Sequence, residues 1–209
     1  MINKKRNMKK ISSFIVVFLF LANTSLYSQK VANKDNYTAQ IQEEEGDLNK
    51  DKHNDRIVVE MDVKDDTRPL RVQIFLSQPD KKLQLAVSST KLIESQYPAN
   101  KKGEHNGNPI PGLFIEDGTL KMVTNINDRK SSYEFRLNKN IFELVKISRV
   151  FWNGKNTTFE TIIDLIAKTK IEFQQELGSD EILNKRKKEI KINSLPKIQD
   201  LSFSDLEKF

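Results

Sequence analysis

Gly46-Asp47-Leu48-Asn49-Lys50-Asp51-Lys52-His53-Asn54-Asp55 runs directly into Arg56-Ile57-Val58-Val59-Glu60-Met61-Asp62-Val63, so that a polar loop leads into a β-branched run. Oxygen-bearing side chains stand at positions one, three, five and nine of the loop, which are Asp47, Asn49, Asp51 and Asp55. Calcium in proteins takes six to eight oxygen ligands, and a tight loop with this spacing can turn several side chains towards one cation. The stretch therefore predicts a calcium loop that feeds a strand.

The loop departs from the helix–loop–helix calcium motif at two positions. Lys52 stands where that motif has Gly, and Val58 stands where it has a bidentate Glu, so an EF-hand is excluded. His53 lies among the four oxygen ligands and is included in the candidate metal set. The alternative is a polar turn, in which the Asp and Asn side chains accept hydrogen bonds from their own backbone.

The N-terminus predicts export. Five basic residues within the first ten positions precede an apolar run at residues 11–22, and small and polar residues follow through Ser28. This order is typical of a secretory signal peptide, and the apolar run is short for a membrane span. We expect residues 1–28 to be removed, which leaves a periplasmic or secreted chain with no stable membrane span.

Composition limits the classes of function. Residues 1–28 hold 5 of the 35 basic residues and no acid, so the remaining chain has 30 basic against 29 acidic residues, a net charge of +1. That balance predicts no affinity for nucleic acid. The chain has no Cys, which excludes disulfides and thiolate chemistry, so the core must hold the fold, with help from any bound metal.

The remaining sequence is a series of short strands. Aliphatic residues stand at every second position of residues 70–76, where Leu70, Val72, Ile74 and Leu76 alternate with Arg71, Gln73 and Phe75, which predicts a strand. Asp117-Gly118 separates two apolar runs, which predicts a hairpin. Tyr133, Phe135, Phe142 and Trp152 fall at strand spacing, and we expect all four in the core. The pattern predicts an all-β, single antiparallel domain of short hairpins.

Domain boundaries follow from composition. We expect a signal peptide at 1–28, a flexible leader at 29–45, a β domain with the calcium loop at its start at 46–176, and a basic C-terminal extension at 177–209. Ser179-Asp180-Glu181 predicts the start of a short helix, and the residues after Pro196 are expected to lie on the surface as a tail.

The longest break in the strand pattern lies between Val87 and Leu113 and is rich in Gly, Asn and Pro. Such loops carry function or are solvated connections, and Tyr97, Glu104 and His105 are the candidates for contact with a partner. With two His, no Cys and no Gly-rich phosphate loop, no nucleophile–base arrangement is recognisable. We therefore expect a protein that is not an enzyme.

The order of these features resembles a known family. The loop at 46–55 before Ile57-Val58-Val59, then Phe114-Ile115, Gly118-Thr119-Leu120 and Tyr133-x-Phe135-Arg136, is similar to the calcium-loop periplasmic lysozyme-inhibitor and immunity proteins over residues 46–170. The resemblance implies a propeller-like domain that binds calcium and inhibits a cell-wall hydrolase through its loops. Without the resemblance, a sandwich-like domain fits the strand pattern equally well.

Two functions follow from the sequence. The first is an exported, non-enzymatic calcium-binding β domain that binds a protein partner and inhibits a peptidoglycan hydrolase. The second is a structural or glycan-binding envelope domain that uses calcium only for folding. An exposed aromatic face would favour the second, and Trp152 is the residue that distinguishes them.

Overall fold

The computed structural model describes residues 35–152 and 154–209 as two antiparallel sheets. The first sheet has four strands in the order β1-β2-β3-β4, and the second has seven in the order β11-β10-β9-β8-β7-β6-β5. Each sheet is a meander in which strands adjacent in sequence pair. The all-β prediction is confirmed, but the described residues form neither a closed barrel nor a propeller.

The four-stranded sheet contains the most regular alternation in the chain. Along β3, alternate side chains from Leu70 to Leu76 are buried, because successive side chains of a strand point to opposite faces. The four strands are β1 (Ala39–Gly46), β2 (Asp55–Met61), β3 (Leu70–Ser77) and β4 (Leu83–Ser89).

The seven-stranded sheet is built from tight hairpins. Asp117 and Gly118 have φ values of 51° and 73°, as a two-residue hairpin turn requires, so the predicted hairpin is confirmed. Its strands are β5 (Gly112–Glu116), β6 (Thr119–Ile126), β7 (Arg129–Asn138), β8 (Ile141–Trp152), β9 (Thr157–Asp164), β10 (Thr169–Glu176) and β11 (Ile182–Glu189).

Both sheets contribute to one hydrophobic core. Its largest fully buried side chains include Ile57 and Ile74 from the first sheet and Tyr133, Phe135 and Phe142 from the second. The side-chain amide of Gln42 joins the two sheets at one edge: its Nε2 donates to the carbonyl of Leu113 at 2.6 Å, and its Oε1 accepts from the Leu113 N–H at 3.2 Å. This amide mimics a strand partner for the edge of β5.

The C-terminal extension differs from the predicted helix and surface tail. The expected helix at Ser179 is a turn before strand β11, and Ile198 and Leu206 are fully buried in the core. A 3-10 turn at Ile198–Asp200 and helix α1 (Phe203–Glu207) bring them there, and Ser202 and Asp205 form a capping box at the start of α1. The apolar residues after Pro196 complete the core, so the tail prediction was wrong.

The N-terminal boundary also differs. Strand β1 (Ala39–Gly46) lies mostly in residues 29–45, which we expected to form a flexible leader, and it pairs with β2 along its length. The predicted signal peptide at 1–28 lies outside the described residues. Within the described part of the chain, no helix is long and apolar enough to cross a membrane.

Candidate functional site

The loop at residues 46–55 is shaped by side chains that accept hydrogen bonds from its own backbone. Asp47 accepts from the N–H groups of Asp51 at 3.1 Å and Lys52 at 2.8 Å, and Asn49 also accepts from Asp51 at 3.0 Å. Lys50 and Lys52 adopt φ values of 63° and 70°, which these contacts stabilise. The short acidic and amide side chains are therefore the cause of the turn.

Asp51 lies at the exposed tip of this loop. One carboxylate oxygen accepts from the His53 N–H at 2.8 Å and lies 3.2 Å from His53 Nδ1, and the other accepts from the Asn49 amide at 2.9 Å. The backbone hydrogen bond from His53 lowers the pKa of Asp51, and the amide of Asn49 and the ring of His53 lower it further. The carboxylate is thus held in its charged form.

Asp55 points away from the other candidate ligands. It is fully buried, and its two oxygens accept from the backbone N–H groups of Leu48 at 2.7 Å and Ser77 at 2.8 Å. Burial raises the pKa of this carboxyl, although both N–H groups oppose the rise. Asp55 therefore fastens the loop to the end of β3.

Calcium in proteins requires six to eight oxygen ligands around one point. No group of three or more His, Cys, Asp or Glu side chains in residues 35–152 and 154–209 is placed to hold a metal ion. Asp47, Asn49 and Asp51 share hydrogen bonds at one end of the loop, whereas Asp55 is fully buried and bonded inside the fold. The turn alternative accounts for these contacts, and calcium binding stays a prediction for Asp47, Asn49, Asp51 and His53.

The loop before β5 is held together by its own polar side chains. His105 Nδ1 accepts from the Gly107 N–H at 2.9 Å, so Nε2 carries the proton and donates to Gln96 Oε1 at 3.0 Å. The His105 ring lies edge-on to half-buried Tyr97, 5.3 Å between centroids. Glu104 and His105 are exposed, and contact of Tyr97, Glu104 and His105 with a partner stays a prediction.

The four aromatic residues predicted to lie in the core divide into two groups. Tyr133, Phe135 and Phe142 are fully buried, which confirms the prediction for them. Trp152 is 52% exposed, and its indole N–H donates to the carbonyl of Lys155 at 2.6 Å, so the prediction was wrong for this residue. Trp152 is the last residue of β8, where the strand runs past the core.

Two further aromatic residues lie beside Trp152 on the opposite face of the sheet. Phe151 and Phe159 are direct partners across β8 and β9, and their exposed fractions are 42% and 43%. Phe151 shares its face with buried Ile147 and Arg149, since residues two apart on a strand lie on one side. We call Phe151 and Phe159 the phenyl pair. The phenyl pair was not predicted from the sequence. Its only indication there is Phe151 next to Trp152, just before a turn.

The phenyl pair belongs to a part of the sheet that is only one layer thick. No residue of β10 or β11 is buried, and of the residues in β9 only Ile163 belongs to the core. We call β9, β10 and β11 the sheet extension. It exposes Phe159 and Ile182 as well as many charged side chains.

Comparison of the chain with protein-family models, curated proteins and solved structures finds no match in any of the three.

Proposed function

We propose that this chain is an exported, non-enzymatic β domain that binds a protein partner, and that the partner is a peptidoglycan hydrolase which it inhibits. The observation that carries protein binding is the phenyl pair, two aromatic rings paired across β8 and β9 and each more than two-fifths exposed. Aromatic residues are enriched at the centres of protein interfaces, where their burial supplies much of the binding energy.

The architecture supports a binding role for this surface. The buried core residues come from β2 to β8, Ile163 of β9, the connecting loops and the C-terminal segment, so β10 and β11 of the sheet extension add no buried side chain. A domain that needed only stability would gain little from strands of this kind, because hydrophobic stabilisation scales with the apolar area removed from water. The extension instead carries Phe159, which pairs with Phe151 of β8, away from the core.

The polar groups support a role without catalysis. Both ring nitrogens of His105 are engaged, with Gln96 and with the Gly107 N–H, and His53 contacts the exposed carboxylate of Asp51. A general base must have a lone pair available to the group that it deprotonates. The hydrolase as partner rests on the resemblance and on the signal-like N-terminus, and calcium at Asp47, Asn49 and Asp51 belongs to the same proposal.

The test is inhibition of a panel of peptidoglycan hydrolases, including a lysozyme, by stoichiometric amounts of the purified chain. We expect one hydrolase to lose activity, and we expect Phe159→Ser to weaken its inhibition by roughly tenfold or more, as loss of a central aromatic contact does. Hydrolase turnover of labelled cell walls is the measurement.

Phe114→Ser is the matched control, because Phe114 is a phenylalanine of β5 that is 41% exposed and far along the sheet from the phenyl pair. Its inhibition should equal that of the unmodified chain. If every hydrolase keeps full activity with a stoichiometric amount of the chain, the proposed hydrolase partner is contradicted. If Phe159→Ser and Phe114→Ser weaken inhibition equally, the phenyl pair is not the contact surface.

Trp152 favours a second function, binding of a glycan in the cell envelope. Its ring is exposed on the face opposite the phenyl pair, next to Thr158, its partner on β9. Thr158 lines a shallow groove together with Glu160, Gln175 and Ser179. An exposed indole beside hydroxyl, amide and carboxyl groups suits a sugar, whose C–H face stacks on the ring while its hydroxyls form hydrogen bonds.

Trp152 is the single tryptophan of the chain, so its fluorescence reports this face alone. We expect emission typical of a water-exposed indole and efficient quenching by acrylamide, since half of the side chain is exposed. Soluble cell-wall saccharides that shift or quench the emission, with loss of binding in Trp152→Ala, would establish the glycan function. Unchanged emission with every saccharide would exclude it and leave the protein partner.

A further inference from the structure

Strand β11 forms a free edge of the seven-stranded sheet. Among the described strands it pairs only with β10, and all its side chains except that of Leu183 are exposed. An edge strand has one row of backbone N–H and C=O groups that face no partner, and such a row can accept another extended chain.

Hydrogen bonds on either side of β10 show which groups of β11 face outwards. The N–H of Ile190 donates to the carbonyl of Lys168 at 2.9 Å, and Lys170 with Lys188 and Glu172 with Arg186 follow in the same register. In an antiparallel ladder every second pair is hydrogen-bonded, so these two pairs are bonded as well. The backbone groups of Lys187, which lies between them, therefore point away from β10.

The other side of β10 gives the same alternation. The N–H of Leu177 donates to the carbonyl of Asn156 at 2.7 Å. Every second residue pair of the β9–β10 ladder is hydrogen-bonded in the same way, so the backbone groups of Phe173 and Ile171 point towards β9. The groups of Glu172 and Lys170 must then face β11, as the first count requires. Two independent hydrogen bonds thus assign the Lys187 N–H and C=O to the open edge.

The open edge is strongly basic. Lys185, Arg186, Lys187 and Lys188 are consecutive, so both faces of β11 carry positive charge. Glu172 on β10 pairs with Lys170 at 2.7 Å and with Lys188 at 3.7 Å. In the described part of the chain, no ion pair within 4.0 Å holds Lys185, Arg186 or Lys187, so their charge is available to a partner.

We propose that β11 binds an extended, acidic polypeptide segment, which adds to the seven-stranded sheet as an eighth strand. The inference rests on the proposed protein-binding function and names the chemistry of the partner segment. Lysine on an edge strand also discourages pairing between copies of the same chain, because like charges would meet. The same charges attract a segment with glutamate or aspartate at alternate positions, and the outward groups of Lys187 supply hydrogen bonds for it.

The test uses the purified full chain and two dye-labelled synthetic peptides in fluorescence anisotropy at low salt. The strand peptide alternates glutamate with valine; the control peptide has the same charge but proline in place of valine, which cannot donate a backbone hydrogen bond. We expect the strand peptide to bind at least about tenfold more tightly, and added salt to weaken it. Equal binding of the two peptides would overturn strand addition, because charge alone would then explain it.

Two variants at one position separate the backbone from the charge. Lys187→Ala removes a charge and keeps the outward N–H, whereas Lys187→Pro removes both, and an edge strand tolerates proline where the N–H faces solvent. We expect a loss of a few fold in affinity for the first and a loss of roughly tenfold more for the second. Equal losses would contradict the assignment of the edge.

A charge reversal covers the case in which the proline variant unfolds. Lys187→Glu keeps the outward N–H but places a negative charge among Lys185, Arg186 and Lys188, so it should weaken binding of the glutamate peptide more than Lys187→Ala does. Equal binding by Lys187→Glu and the unmodified chain would overturn the inference.

These experiments need no hydrolase. Inhibition of a hydrolase that survives Lys187→Pro would overturn the edge as the contact and leave the proposed function standing. If the chain binds the strand peptide but inhibits no hydrolase, the edge stands as a binding site and the proposed hydrolase partner is contradicted.

Discussion

At the scale of single residues, Asp55 is the loop residue that we expect to contribute most to the stability of the fold. Its carboxylate accepts the buried N–H groups of Leu48 and Ser77, so Asp55→Ala leaves two donors without a partner. Each such donor costs about 1–3 kcal/mol, and we expect the free energy of unfolding to fall by about 2–5 kcal/mol. Urea denaturation of Asp51→Ala is the control, because exposed Asp51 should cost less than about 1 kcal/mol.

The same residue makes stability depend on pH. Because burial raises the pKa of Asp55 above its usual value, the folded protein binds more protons than the unfolded chain between the two pKa values. The contribution of Asp55 to stability therefore declines as pH rises through the folded pKa, and Asp55→Asn should remove this decline. Asp51, whose pKa is lowered, acts in the opposite direction and loses its contribution as pH falls. Matching pH profiles for Asp55→Asn and the unmodified chain would contradict this account.

At the scale of strands, the sequence predicts elements whose local pattern agrees with their burial. β3 alternates strictly, and Asp117-Gly118 supplies the turn for β5 and β6, so both were predictable. β1 was missed because its one aliphatic residue in mid-strand, Ile41, is 41% exposed; pairing with β2 makes it a strand. β11 was missed because its basic run has no alternation of its own and depends on β10.

The positions of the C-terminal segment and of Asp55 in the loop at 46–55 could not be predicted from the sequence, because both depend on contacts with distant residues. Ile198, Leu201 and Leu206 are irregularly spaced among polar residues, and the 3-10 turn and α1 bring them into the core. The direction of Asp55 depends on Ser77, 22 residues further along the chain. Loop spacing alone allowed both a metal site and a polar turn, because the spacing does not say which oxygens the rest of the fold has already used.

At the scale of the whole molecule, stability and binding lie in different parts of the chain. The core is built from β2 to β8, Ile163 of β9, the connecting loops and the C-terminal segment, whereas the phenyl pair, Trp152 and the basic edge lie on or beside the sheet extension. Substitutions on the extension should therefore change binding with little effect on folding. This separation makes the variants above informative, because their effects on partners are not masked by unfolding.

The loop geometry also constrains how strongly the whole molecule is predicted to bind calcium. Since Asp55 is fully buried, Asp47, Asn49 and Asp51 are left to contribute side-chain oxygens, and we expect affinity in the millimolar range of extracellular sites. At tenfold excess over Kd the gain in stability is about 1.4 kcal/mol. A thermal melt of residues 29–209 should therefore shift upwards in about 10 mM calcium, but not at micromolar concentrations. Asp51→Ala should abolish the shift, and coincident melts in calcium and in chelator would show that the loop is a polar turn alone.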